Sequence, residues 1–290
     1  MKKHIFTITF ILALLGGNAA NAQDVRFGIR GGLNFANIST SNSTPLYDDY
    51  SSRLASGMGI FTELQLNENV SLRFGLEYSG QGAKRDGVQA LSTQRMMTGI
   101  ANGIGMGIDE KTIMMLMGVA GASPFYYANI ENTIKYDYAT VPILAQYTFN
   151  LGASPWGVYV NAGPFVSFAV SGKEVGKGTS FLYADATQQA KVWDVLPQPM
   201  QDGITTGMPS LAAILQNPYE FDETNITGEL KSVNFGVMGN VGLRYQSGRN
   251  CFFVEGGGGY GFIPVQQDDV YGKSRLNSVS VMIGYSFSMF

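Results

Sequence analysis

Few residues in this chain have the chemistry to do catalysis. There is one histidine, His4, and one cysteine, Cys251, among 290 residues. His4 lies in a segment, residues 1–22, with the pattern of a removable leader. Without it a Ser-His-Asp or Cys-His arrangement cannot be built, because both need the imidazole as base. A structural zinc site normally takes four Cys or His ligands, and one cysteine cannot supply them. No metal centre and no cofactor is expected. Glycines 256, 258 and 261 fit the dinucleotide pattern G-x-G-x-x-G. That pattern works only at a strand-to-helix turn, with the pyrophosphate on the helix N-terminus. Here it lies inside strand-like sequence, so the glycines are read as easing curvature and making room for neighbouring side chains.

The remaining candidates are charged residues at alternate positions: Arg26, Arg30, Arg73, Glu77, Arg244 and Glu255. On one inner face of a closed sheet they would form a polar network. Buried charges need partners and hydrogen bonds, so the plainest reading is an Arg/Glu plug. A gated polar path or small-ligand site is the alternative, and Glu77 with Glu255 would be the paired carboxylates for glycosidase-like acid–base chemistry.

The elements that position these residues follow from periodicity. Lys2 and Lys3, the apolar run Ile5 to Leu15 and Ala20-Asn21-Ala22 form a secretory signal over residues 1–22. The run is too short for a membrane helix, which needs about 20 apolar residues. The mature domain is read as 23–290, with 17 basic and 22 acidic residues. That balance gives no basic surplus for nucleic acid. No cysteine follows the leader to carry a lipid anchor.

Past the leader the dominant period is two, the signature of strands. Val25, Phe27, Ile29, Gly31, Leu33 and Phe35 alternate with Arg26, Gly28, Arg30, Gly32 and Asn34. The same pattern recurs at 70–82, 233–245 and 278–289, and less cleanly at 57–66, 140–149, 156–170 and 251–263. That makes eight strands. The connections alternate between short, at 67–69, 150–155 and 246–250, and long, at 39–56, 83–135, 171–231 and 264–275. Short turns alternating with long loops mark an up-and-down barrel of an outer membrane, with the turns periplasmic. A bilayer also demands that every backbone polar group be paired, which only helices and closed barrels achieve. The expected fold is therefore all-β: an eight-stranded antiparallel up-and-down transmembrane β-barrel with long, partly helical extracellular loops. Its localisation would be the bacterial outer membrane. A soluble lipocalin-type barrel, with the apolar parity inside, is the competing fold.

Several strand segments resemble the PorT-like outer-membrane β-barrel proteins of Gram-negative envelopes. They are Phe27 to Asn34, Val70 to Lys84, Tyr138 to Tyr147, Ala162 to Phe165 and Phe235 to Leu243. The resemblance covers the strands and little of the loops. It implies fold and location. The namesake's part in secreting surface proteins has no motif here to carry it over.

The loops hold the remaining candidates. Residues 88–122 contain Met96, Met97, Met106, Met114, Met115 and Met117, with Asp109 placed to cap a helix over 110–119. Met-rich surface is adaptable and suits a partner; the same segment folded down would be a lid. In 171–231, Met208-Pro209-Ser210 opens a helix over Leu211 to Gln216, since proline favours the first helical position. Tyr183, Trp193 and Tyr219 are candidates for sugar stacking, interface anchoring or local core packing. Asn37, Asn42 and Asn225 begin N-x-S/T triplets, read as accidental here, and Cys251 as a small apolar residue. The expected partners are outer-membrane lipid and, through loops 83–135 and 171–231, another envelope or surface protein. The expected role is a non-enzymatic scaffold or accessory subunit. A narrow conduit or small-ligand binder is the alternative, and a lipid-modifying enzyme a remote one.

Overall fold

The computed structural model describes residues 24–41, 50–93, 125–267 and 273–289. The segment read as a leader, residues 1–22, Phe290 and the methionines Met96, Met97, Met106, Met114, Met115 and Met117, with the helix read at 110–119, lie outside the described residues. Eight long strands are present: β1 (Asp24–Ser41), β2 (Ser51–Gln65), β3 (Val70–Ser92), β4 (Phe125–Asn150), β5 (Trp156–Lys177), β6 (Val233–Ser247), β7 (Asn250–Gly261) and β8 (Lys273–Ser288). Each pairs antiparallel with the next. The ring closes where β8 meets β1, with Phe27 opposite Phe287 and Leu33 opposite Val281. Closure leaves no barrel edge unpaired.

The short turns are chemically specified. Asn67 Oδ1 accepts the amides of Asn69 and Val70 at 3.0 and 2.9 Å, tying the β2–β3 turn. Gly152 and Gly248 take φ of +63° and +57° in the other two, a conformation glycine adopts without steric cost.

The apolar parity faces outward. Ile29, Ile60 and Ile283 are 59%, 60% and 69% exposed, and Phe27, Leu33, Met58, Ile143 and Val241 belong to the same belt. The polar parity is inside: Arg30, Asn34, Glu63, Arg73, Gln146, Asn161, Asn240 and Glu255 are buried. This sidedness is the opposite of a lipocalin-type barrel. A continuous apolar belt on a closed sheet requires hydrocarbon around it. Rings collect near the turn end, where Trp156 meets Tyr245 at 4.9 Å and Phe252 meets Tyr285 at 5.2 Å, as expected at a membrane interface.

The strands run beyond the segments read from sequence. Residues 83–92 and 125–135 are strand, paired from Ala83 opposite Ile134 to Ser92 opposite Phe125. β5 likewise continues to Lys177. The loops of 83–135 and 171–231 are therefore shorter than their sequence limits. β4 shows why. Its lower half turns Val141, Ile143, Tyr147 and Phe149 outward and Thr140, Gln146 and Thr148 inward. Its upper half keeps the same sidedness with reversed chemistry: Tyr126, Ala128, Ile130, Ile134, Tyr136 and Tyr138 are buried, while Asn129, Glu131, Lys135 and Asp137 face out. Hydrocarbon surrounds the lower half and water the upper. The switch near residues 137–140 marks the membrane boundary on this strand.

Residues 178–232 fold into a compact platform at the loop end. It contains α1 (Val192–Val195), α2 (Gln198–Gly207) and α3 (Pro209–Gln216). Pro209 opens α3 as the sequence predicts, and Ala212 and Leu215 are its buried face.

Candidate functional site

Two places concentrate chemistry: the lumen and the loop-end platform. In the lumen, Glu255 of β7 is the hub. Its carboxylate accepts from Arg30 Nη1, from Arg73 Nη1 at 2.9 Å and from the Tyr159 hydroxyl at 2.6 Å. Arg30 gives its other terminal nitrogen to Glu77 at 2.5 Å. Arg73 gives its own to Glu63 at 3.4 Å. Glu63 Oε1 also accepts from Ser71 Oγ and Gln146 Nε2, each at 3.1 Å. The result is one chain down the lumen, Glu77–Arg30–Glu255–Arg73–Glu63, with carboxylate and guanidinium alternating.

Three rings complete the plug. The Arg73 guanidinium carbon lies 4.5 Å from the Phe61 ring centre, 5.2 Å from Phe253 and 5.4 Å from Tyr159. Cation–π attraction holds the charge where carboxylates do not reach it. Each ring lies over an inward glycine directly across the ladder: Phe61 over Gly28, Tyr159 over Gly242, Phe253 over Gly284. A Cβ at any of these glycines would sit inside the ring.

The six residues expected on the inner face are all inside, but they do not form one network. Arg30, Arg73, Glu77 and Glu255 join. Arg26 and Arg244 lie nearer the turn end, gathered on Gln246 Oε1 at 2.7 and 3.1 Å, with Asp24 on Arg26 Nε at 3.0 Å. Glu63, Tyr159, Phe61 and Phe253 belong to the plug and were missed. Glu63 and Phe61 already stood on the inward parity of β2, beside Gly57 and Gly59.

The plug divides the lumen. Above it is a chamber of about 70 Å³, lined by Arg30, Asn34, Glu77, Ser167, Asn240 and Ser278 among others. That volume suits a few waters. Below it about 10 Å³ remains. The chamber's loop side is roofed by Ile226, Leu230 and Val265, packed on Ile38, Ala83, Ile134, Tyr136, Tyr138 and Leu276. The roof is tied down by bonds from Lys231 N to Val265 O and from Gly172 N to Thr227 Oγ1, at 2.8 and 2.9 Å.

The platform is built on the upper part of the β3–β4 hairpin. Tyr183 pairs with Tyr127 through two backbone bonds of 2.8 and 2.9 Å. Leu182, Val192 and Leu215 are buried against Tyr126, Ala128 and Ile130, with Trp193, Leu211 and Phe221 at the margin. Trp193 thus serves local packing. Tyr219 is half-buried and stacks edge-on to Phe221 at 4.9 Å. Tyr183, also half-buried, sits in the ladder between Tyr127 and Lys191. Asp185 ties the adjoining turn, accepting from the Thr187 amide and hydroxyl and the Ala190 amide. These bonds, the Thr187 hydroxyl first, hold its carboxyl below the usual range. Residues 178–232 contain seven acidic and two basic side chains. That excess of five negative charges equals the net charge of the whole chain past residue 22.

No three Asp, Glu, Cys or His side chains among the described residues converge as metal ligands. The described residues contain no histidine.

The sequence model of the outer membrane protein beta-barrel domain family matches residues 21–267. Among solved structures, a major outer membrane protein from Thermus thermophilus is similar at 11% identity and a TM-score of 0.37. The match covers 91% of this chain and 99% of that one. Neisserial surface protein A is similar at 11% identity and TM-score 0.35, covering 90% and 96%. OprG from Pseudomonas aeruginosa is similar at 9% identity and TM-score 0.33, covering 91% and 95%. No curated protein matches the chain.

Proposed function

Because the chain belongs to the outer membrane protein beta-barrel domain family, we propose that it is a non-enzymatic anchor whose loop-end platform binds a cell-surface or envelope partner. One contrast carries the reading. The lumen is packed with its own ion pairs and rings and roofed above, whereas the loop end spends some 55 residues, 178–232, on a folded, acidic platform outside the hydrocarbon belt. A barrel needing only stability in the membrane would keep that connection short. The platform's charge favours a partner with a basic surface, drawn by complementary potential. The PorT-like resemblance of the strands is compatible with envelope work and supplies no functional residue to transfer. The chamber above the plug favours the small-ligand reading, but at about 70 Å³ it admits only a few water-sized groups.

The test is purification from native outer membranes. A tag in the 67–69 turn and gentle solubilisation should bring down one stoichiometric partner, released by raised salt. The partner should be lost when 181–222 is replaced by a short Gly/Ser linker. It should be weakened by Asp194→Asn, Asp202→Asn and Glu220→Gln together, which leave the platform's core in place. A barrel that purifies alone under these conditions, or a partner retained by both variants, contradicts the proposal.

A further inference from the structure

The turn-end mouth of the lumen holds two guanidinium groups and one carboxylate within bonding reach of them. Arg26 on β1 has that carboxylate, Asp24, on its Nε. Its Nη1 goes to Gln246 Oε1. Arg244 on β6 gives its Nη2 to that same oxygen and has no acidic partner among the described residues. Two guanidinium groups therefore converge on one neutral amide. Like charges held this close repel. Bonds to an anion would be shorter and roughly twice as strong. One layer deeper the chain does the opposite, giving Arg30 and Arg73 two carboxylates each.

Register assembles the mouth from neighbouring strands. Gln246 stands beside Cys251, Cys251 beside Ser286, and Arg26 beside Ser288. Arg26, Arg244, Cys251 and Ser286 also line the small pocket just inside. That pocket holds one water-sized particle, so a ligand's bulk would stay outside while a single oxygen enters. Glu63 and Gln146 border the pocket too. Both Glu63 oxygens are already engaged by Ser71, Gln146 and Arg73, while the buried Gln146 Oε1 has no partner and suits a bridging water.

We propose that this mouth is an oxyanion site. Arg26 and Arg244 take a carboxylate or phosphate group of a soluble molecule on the periplasmic side, in the acceptor role that Gln246 fills. Guanidinium forks match the geometry of both groups. The site lies at the opposite end from the platform and does not rest on the partner-binding reading.

The test uses the full barrel in neutral detergent micelles, titrated calorimetrically with inorganic phosphate and with acetate at constant ionic strength. Saturable binding is expected for at least one. Arg244→Gln should weaken it about tenfold or more, the loss of one charged hydrogen bond. Arg249→Gln, in the adjacent exposed turn, should leave it unchanged. If Arg244→Gln does not fold, Arg244→Lys decides: it keeps the charge but not the fork, and should also weaken binding about tenfold. Absence of saturable binding, equal loss in Arg249→Gln, or full affinity in the Arg244 variants overturns the site. A repeat in phosphatidylglycerol nanodiscs distinguishes the source. Phosphate binding that disappears there, yet persists in phosphatidylcholine, would assign the mouth to lipid headgroups and overturn the soluble ligand.

Discussion

Replacing Glu255 by alanine is expected to destabilise the barrel by about 3–5 kcal/mol, the cost of breaking a buried ion pair by removing one partner. Glu255 is where the expectation is largest because it faces both arginines of the plug and the Tyr159 hydroxyl at once. Its loss leaves Arg73 with Glu63 alone, at 3.4 Å, and with three rings that cannot replace a carboxylate. Glu77→Gln provides the internal comparison. Among the described residues Glu77 hydrogen-bonds to Arg30 alone, and it borders the chamber, where water can reach the freed nitrogen. A smaller loss of about 1.5–3 kcal/mol is expected there, that of one charge-assisted hydrogen bond. Urea unfolding of the barrel refolded into lipid vesicles, followed through its two tryptophans, gives both values. Equal losses would mean that the chain of ion pairs is not organised around Glu255.

The second large effect is steric. Gly242→Val is expected to cost about 3 kcal/mol, at the upper end for overpacking a filled core. The new Cβ would occupy the Tyr159 ring, which lies across the ladder from Gly242. Moving the ring also pulls its hydroxyl from Glu255, so the cost is electrostatic as well as steric. In a Tyr159→Ala background the ring is absent and the same substitution should cost little. The double-mutant cycle therefore has a large coupling energy. Additive losses would show that valine acts on the backbone and not through the ring.

These two sites show what sequence can carry and where it stops. Period two assigns a face to every residue. It put Arg30, Arg73, Glu77 and Glu255 inside and the apolar positions outside. It does not assign height along the barrel axis. Height comes from register, which is why Arg26 and Arg244, on the correct face, belong to a different layer from the plug. The same limit hid the ring–glycine pairs: Phe61 and Gly28 are 33 positions apart, and only the β1–β2 register makes them opposite. Glu63 escaped because β2 alternates weakly, with Phe61 on its inward parity. The strand extensions escaped for another reason. A search for apolar-out alternation ends at the membrane boundary, where Tyr138 and Tyr136 turn inward and Asp137 and Lys135 turn out. The α3 start was legible because proline acts locally, without help from tertiary structure.

The lumen is a packed core and not a path. Both functional readings meet there. A sealed barrel leaves the loop end to do the recognition, and an open one makes the chamber an entrance. Single-channel recording across a planar lipid bilayer tests this directly. The intact barrel should insert and stay electrically silent. Glu255→Ala, which takes one of two carboxylates from each of the plug's arginines, should produce discrete openings if it still folds. Steady ohmic conductance from the unaltered protein would contradict a packed lumen, because the Glu77–Arg30–Glu255–Arg73–Glu63 chain leaves no room for ions to pass.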